Sequence, residues 1–392
     1  MNKYKICTVG GAGHVGLPLS IAFANSKQKT IIYDINQKAL DAIDKGIMPF
    51  RENGAEQVLK RTINKTLFTS NDIKSVHSSE FVVVVIGTPV DKHLNPTFRQ
   101  MKIFFENLLP YMKNDQIIII RSTVFPSTTT LIRDLAKKIH PKIEVCFCPE
   151  RIAEGNAMDE LYNLPQIVSG FDEKAIKKTA SLFRKLTKDI IITSPFEAEL
   201  AKLFTNSWRY IQFAIANQFY MIAEEHGADF YKIFDAMTYK YPRTKDFPKP
   251  GYAAGPCLFK DTMQISAFTH NSFFLGHSAM LINEGLPVFV INQMKNEIPN
   301  LREKVVGILG MAFKSESDDA RESLSYKLKQ YLEVEAKEVL CTDEYVNDSS
   351  FLSLDAVINK SDVLVIGSPH KKYRNADLRG RKVYDVWNIV RR

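Results

Sequence analysis

Of the five cysteines in this chain, four lie in apolar runs (Cys7, Cys146, Cys148 and Cys341) and one does not. Cys257 sits in "GYAAGPCLFKD", Gly251 to Asp261, on a Gly/Ala/Pro turn just ahead of a Lys-Asp pair. A cysteine attacks as the thiolate, and a nearby lysine or helix N-terminus lowers its pKa toward neutrality. Lys260 is three residues on, and "KDTMQISAF" reads as the start of a helix. The small residues of the turn let backbone and ligand approach closely, and Asp261 can hold a water or a lysine. The competing reading, a packed apolar cysteine, does not account for these polar surroundings. Two further pairs could carry chemistry. Glu150 and Glu154 stand four apart in "CPERIAEG", after a strand-like run. Lys202 and Asn206, also four apart, share one face of a helical stretch. Taken alone, the glutamates read equally well as solvated side chains, and the Lys202 and Asn206 pair reads more readily as a polar rim.

A cofactor site is written at the N-terminus. "KICTVGGAGHVGLPLSIAFA" places Gly11-x-Gly13-x-x-Gly16, with His14 and Val15 inside it, after a strand and before a helix. Glycine is needed there for a tight turn, for approach of backbone to a pyrophosphate, and for helix-on-sheet packing. The next strand ends in "IIYD", so Asp34 falls at roughly the 20-residue distance expected for a ribose-binding acid. An acid there repels a 2′-phosphate, which favours NAD over NADP; FAD is a competitor with no other support. Two more strands end in polar turns, "IGTP" and "RSTVFPSTT", and ligands collect at the carboxyl ends of strands in open parallel sheets. Thr88, Ser122 and Thr123 are therefore expected to face the cofactor and its substrate.

These groups need a scaffold. β-branched runs ("YKICTVG", "KTIIYD", "FVVVVIG", "QIIIIRST", "IEVCFCP", "PQIVSG", "DIIITS") alternate with helical patterns, which predicts a parallel sheet covered on both faces. The stretch from Ser194 to Gly227 then has only helical spacing. Ser194, Pro195 and Glu197 mark its start as a capping box, and His226-Gly227 its stop. Near Lys304 the alternation returns. The expected fold is α/β: two Rossmann-like parallel-sheet domains joined by a long-helix, all-α middle domain. The expected divisions are 1–194, 195–300 and 301–392.

Bulk properties set the bounds. At 392 residues the chain is too long for one ordinary core. With 45% hydrophobic and 24% charged residues it has a globular composition, and no run approaches the roughly 20 apolar residues of a membrane span. Glycines follow the first strand-like run too soon for a signal peptide, so a cytoplasmic protein is expected. Five cysteines, an odd number, argue against a disulfide framework. The Cys146-x-Cys148 pair has no second pair at zinc spacing, so no metal is expected. The net charge of +8 is scattered rather than clustered with aromatics, which speaks against nucleic acid and suits a phosphorylated substrate.

In this order, the clusters resemble the nucleotide-sugar 6-dehydrogenases: the UDP-glucose, UDP-N-acetylhexosamine and GDP-mannose dehydrogenases. The resemblance spans nearly the whole chain. It rests on the glycine fingerprint, "IGTP", "STVFPSTT", "PERIAEG", "EAELAKLFTNSWR", "GPCLFKD" and "GILGMAFKSESDDARES". It implies an NAD domain, a helical domain that forms a homodimer, and a C-terminal domain binding the UDP of the sugar. It also implies oxidation of the C6 hydroxyl to a carboxylate with two NAD+, for capsule or lipopolysaccharide synthesis in a bacterium or archaeon. Carried onto this sequence, Cys257 captures the C6 aldehyde as a thiohemiacetal that becomes a thioester. Lys202 and Asn206 stabilise the C6 oxygen, and Glu150, Thr123 and Asp261 serve thioester hydrolysis. Glu154, Lys260 and Arg321 lie by the NAD. Arg151, Ile152, Tyr252, Phe313 and Lys314 contact substrate, and Arg243 reaches across the dimer. Arg209 looks like the N-acetylhexosamine branch and Lys260 in "CLFKD" like the UDP-glucose branch; the reading leans to a UDP-N-acetylhexosamine.

This chain departs from the family pattern at Ala253-Ala254, where glycines are common, and at Pro256, Phe125, Ser127 and Cys148. These alter loop shape and remove no reactive group. Two other readings share the plan: a single-step hydroxyacid or hydroxyacyl dehydrogenase, which needs no cysteine, and a non-catalytic NAD-binding scaffold.

Overall fold

The computed structural model describes residues 3–87 and 98–390. It divides into two compact units, Met1–Phe204 and Thr205–Arg392. Thr88, one of the expected cofactor contacts, lies outside the described residues.

The first unit is built on eight strands: β1 (Tyr4–Val9), β2 (Thr30–Tyr33), β3 (Leu67–Ser70), β4 (Ser79–Val84), β5 (Ile117–Ile120), β6 (Glu144–Phe147), β7 (Gln166–Gly170) and β8 (Ile190–Thr193). Their order is β3-β2-β1-β4-β5-β6-β7-β8. The period of two divides the strand residues between two cores. Cys7, Val9, Val82, Val84, Ile118 and Ile120 fill one. Ile6, Phe81, Val83, Ile117 and Ile119 fill the other, with Leu19, Phe23 and Phe183. Burial on both faces is why these strands read as unbroken apolar runs.

One pairing departs from the parallel sheet that the sequence predicts. β6 and β7 pair antiparallel, while the other pairings are parallel. The connection between them holds the "PERIAEG" loop and only a seven-residue helix, Ala157–Asn163, and it returns the chain in the opposite direction. β3 had no expectation behind it.

The second unit has β9 (Val305–Leu309), β10 (Glu338–Thr342), β11 (Val363–Ile366) and β12 (Lys382–Tyr384), all parallel in the order β10-β9-β11-β12. Val306, Ile308, Val363 and Val365 face a core shared with the helices Phe274–Glu297 and Leu324–Glu335. Leu309, Leu340, Leu364 and Ile366 face a second core.

The long helix is Pro195–Glu225, 31 residues. Its capping box forms as the sequence predicts: the Ser194 N–H donates to Glu197 Oε2 at 2.8 Å, and the Glu197 N–H to Ser194 Oγ at 3.3 Å. Gly227 ends it at φ +69°. Helix Phe274–Glu297 departs from expectation, because by length and composition it is apolar enough to cross a membrane. In this unit its Leu286, Phe289, Val290 and Met294 are core residues, and its Asn283 exchanges hydrogen bonds with Asn217 and the Tyr210 carbonyl.

Candidate active site

The glycine fingerprint folds as the turn between β1 and helix Gly16–Asn25. A Cβ on Gly11 would lie 2.7 Å from the Thr8 carbonyl oxygen, and one on Gly16 would lie 2.6 Å from Gly11 Cα. Packing alone therefore demands those two glycines. Gly13 differs, since a Cβ there meets nothing nearer than the Gly10 oxygen at 3.9 Å. Among the described residues no atom requires glycine at that position, whereas close passage of a pyrophosphate does. Asp34 follows β2; its Oδ2 accepts the Ala12 N–H at 2.9 Å and its Oδ1 the Asn36 N–H at 2.9 Å. Two acceptances leave lone pairs on both oxygens for ribose hydroxyls. His14 is stacked on Phe50 with ring centroids 4.0 Å apart. The turn, the helix N-terminus and Asp34 fit NAD, which supplies hydride acceptance when bound.

Also in the first unit, Glu150 is buried and its carboxylate is saturated. Oε2 accepts Nε of Arg121 at 3.1 Å and Nη2 of the same guanidinium. Oε1 accepts the N–H groups of Arg151 at 2.7 Å and Ile152 at 2.9 Å. Burial pushes this carboxyl up, but the Arg121 charge and hydrogen bonds, the Ile152 N–H and the Lys202 charge outweigh it and hold it below the ordinary glutamate value. Lys202 is itself buried on the long helix. Ser122 donates to the Ile86 carbonyl at 2.7 Å. Thr123 is partly buried, like Glu154 and Ile152. Arg151 donates to the Pro165 carbonyl. Sequence reading missed Glu199, which accepts the N–H groups of Ser127 at 2.6 Å and Thr129 at 2.8 Å and the Thr129 hydroxyl at 2.5 Å. It thereby fixes the "RSTVFPSTT" loop at the start of helix Thr128–Ile139.

In the second unit, Cys257 is exposed and occupies the N-cap position of helix Leu258–Phe268. Burial pushes the thiols of Cys146 and Cys341 up to about 11, Cys7 to about 12 and Cys148 well above its usual value. One turn into the helix, the fully buried Asp261 accepts Asn206 Nδ2 at 2.6 Å on Oδ2, and its Oδ1 lies 3.7 Å from Lys260 Nζ. Gly255 has φ +99°, and a Cβ there would lie 2.6 Å from the Phe313 ring. That contact brings the "GMAFK" loop against the turn carrying Cys257; Lys314 Nζ rests 5.6 Å from the Phe313 ring.

A second group missed in the sequence anchors this loop. Asp343 follows β10 and accepts the N–H groups of Met311 at 2.6 Å and Ala312 at 2.9 Å, the same device as Asp34 after β2. His370 Nδ1 accepts the Glu316 N–H, so Nε2 carries the proton and donates to Asp343 at 3.1 Å. Burial pushes the Asp343 carboxyl up, but the His370 bond and nearby N–H groups bring it to about 2. The signal available was the repeat of strand, turn, helix, strand, Asp.

Other expected site residues lie elsewhere in this unit. Arg321 chelates Asp319, and Arg209 is exposed on the long helix. Arg243 is exposed beside Tyr241. Tyr252, expected against substrate, is 3% exposed and edge-on to Trp387, packed in the core with Leu286 and Val386. A cavity of about 850 Å³ in the same unit is lined by Lys249, Ser315, Arg374 and Trp387, among others.

Three domain descriptions match in chain order: the UDP-glucose/GDP-mannose dehydrogenase family's NAD binding domain over residues 4–187, its central domain over 196–284, and its UDP binding domain over 307–392. The chain is 30% identical to the UDP-N-acetyl-D-mannosamine dehydrogenase of Methanocaldococcus jannaschii, covering 99% of this chain and 93% of that one. It is 23% identical to the NDP-N-acetyl-D-galactosaminuronic acid dehydrogenase of Ralstonia nicotianae, over 99% of this chain and 97% of the other. The structure of UDP-D-ManNAc dehydrogenase from Pyrococcus horikoshii superposes with a TM-score of 0.91 at 26% identity, covering 99% of this chain and 96% of that one. This chain belongs to the UDP-glucose/GDP-mannose dehydrogenase family, NAD-dependent oxidoreductases that act on nucleotide sugars.

Proposed function

We propose that the chain oxidises the C6 hydroxyl of a UDP-N-acetylhexosamine to the carboxylate in two hydride losses, with Cys257 bonded to the carbon between them. The observation that carries this reading is that Cys257 alone of the five cysteines is exposed, at a helix N-terminus, while burial disables the others. Bound NAD would supply hydride acceptance for both oxidations. Loss of the first hydride, together with the hydroxyl proton, gives an aldehyde, which cannot lose another until a nucleophile makes its carbon tetrahedral. Cys257 Sγ adds to that carbon, and the oxygen gains a proton. The thiohemiacetal then loses a hydride and that proton, leaving a thioester. Water adds at the carbonyl and releases its protons to solvent, the C–S bond breaks with its electron pair returning to sulfur, and the acid leaves as carboxylate. Lys202 and Asn206 stabilise negative charge on the C6 oxygen, and Asp261 and Thr123 orient the water.

The expected residues Glu154, Lys260 and Arg321 at the cofactor, and Arg151, Ile152, Arg209, Phe313 and Lys314 at the sugar nucleotide, belong to the same proposal. So does the three-part division 1–194, 195–300 and 301–392. The cavity lined by Lys249, Arg374 and Trp387 suits a diphosphate beside an aromatic ring. The relatives named for UDP-N-acetyl-D-mannosamine favour an acetylated hexosamine. A homodimer is proposed from the exposed Trp208, Ile215, Phe219 and Ile222, which recur along one helix, and a cytoplasmic location from the core role of helix Phe274–Glu297.

A panel of UDP-N-acetylmannosamine, UDP-N-acetylgalactosamine, UDP-glucose and GDP-mannose, read by NADH release, tests the reading. Two NADH per UDP-N-acetylhexosamine support it. One NADH with a ketone product supports the single-step alternative, and NAD binding without turnover supports the scaffold.

A further inference from the structure

A buried ion pair joins Arg121, at the head of "RSTVFPSTT", to Glu150 of "PERIAEG". Arg121, 1% exposed, spends its guanidinium on two acceptors: Nε and Nη2 on Glu150, and Nη1 on Gln166 Oε1 at 2.8 Å. Its plane also lies 5.2 Å from the Phe183 ring centroid. The fork is thus held from three sides, and so is the carboxylate it grips. An ionised carboxylate offers about four lone-pair sites. Glu150 fills them with two guanidinium and two backbone N–H groups. No site remains to take a proton from water unless Arg121 lets go.

We propose that Arg121 is a positioning residue that clamps Glu150 as a permanent anion, so that Glu150 serves thioester hydrolysis as a fixed charge and not as the proton acceptor. This rests on the reading of Cys257 and Glu150 given above. The charged groups facing Glu150 are Arg121 from the end of β5, Arg151 beside it in the loop, and Lys202 from the long helix. The Lys202 charge in turn helps to keep the Glu150 carboxyl ionised.

The sign of the pH effect follows. With Arg121 in place Glu150 stays ionised through the whole assay range. Without it, burial dominates, the carboxyl titrates at higher pH, and the anion is lost as pH falls. An adjacent opposite charge is worth about one to three pKa units. In Arg121→Gln the acid limb of the kcat profile for acid formation should move up by one unit or more. Well below the midpoint of the moved limb kcat should drop by up to about tenfold for each unit of that move, with KM for the nucleotide sugar changing less than about twofold. Arg121→Lys, which keeps the charge and loses the fork, should fall between. In a Glu150→Gln background the Arg121 substitution should move no limb. An unshifted profile in folded Arg121→Gln, or an equal loss with Glu150→Gln already present, would overturn the clamp. Should Arg121→Gln not fold, the wild-type profile decides: it should be flat between pH 5 and 7, and a limb there that Glu150→Gln removes would refute the proposal. Glu150→Gln with undiminished acid formation would instead overturn the catalytic reading beneath it.

Discussion

Removing the Glu199 carboxylate should loosen the loop that carries Ser122 and Thr123, and the size of the effect can be worked out. Glu199 is 1% exposed and accepts three hydrogen bonds between 2.5 and 2.8 Å from Ser127 and Thr129. Ser127 holds the N-cap position of helix Thr128–Ile139 at φ +74° and makes no cap bond with its own side chain. The carboxylate from the long helix therefore does the capping. Glu199→Ala leaves the buried Thr129 N–H and the part-buried Ser127 N–H without that partner, costing about 1–3 kcal/mol for the first and less for the second, reduced by any water entering the gap. A net loss of about 2–3 kcal/mol is expected. In a unit of this size that lowers the unfolding temperature by about 5–10 °C. The pH dependence supplies a second check. Burial pushes the Glu199 carboxyl up, and the bonds from Thr129 and Ser127 only partly offset this. A carboxyl raised in the folded state contributes fully below its unfolded value, about 4.3, and loses that contribution as pH rises through the folded value. The gap between wild type and Glu199→Ala should be widest near pH 4–5 and narrow toward pH 8. Scanning calorimetry across that range measures it. A gap below about 1 °C throughout, or one that widens with pH, would refute the capping argument.

Two further outcomes follow from particular contacts. Gly255→Ala forces a Cβ to within 2.6 Å of the Phe313 ring at a φ that disfavours side chains, so it should displace the Cys257 turn. Turnover should drop at least tenfold while NAD affinity, measured by fluorescence titration, stays within about twofold. Trp208 is 56% exposed, in register with Ile215, Phe219 and Ile222; Trp208→Glu should shift the protein from dimer toward monomer in light scattering, and an unchanged mass would remove that surface from the interface.

Local features were legible in the sequence because their causes are local. The capping box at Ser194 and Glu197, the glycine turn before helix Gly16–Asn25, and the helix opening at Cys257 each depend on residues a few positions apart. What was not legible involves partners far along the chain. Arg121 and Glu150 are 29 residues apart, Asn206 and Asp261 are 55 apart, and Glu199 is 70 from Thr129. No periodicity links such pairs. The antiparallel turn at β7 was hidden for another reason: an apolar strand buried on both faces reads the same in either direction. β3, with one fully buried residue in four, carries too short and too mixed a run to announce itself.

The central claim is that sulfur of Cys257 holds the carbon being oxidised. Acid production by Cys257→Ser, followed with saturating NAD and a UDP-N-acetylhexosamine, tests it most directly. The account predicts that carboxylate falls below detection while the folded variant still binds NAD; carboxylate formed at the wild-type rate would contradict it.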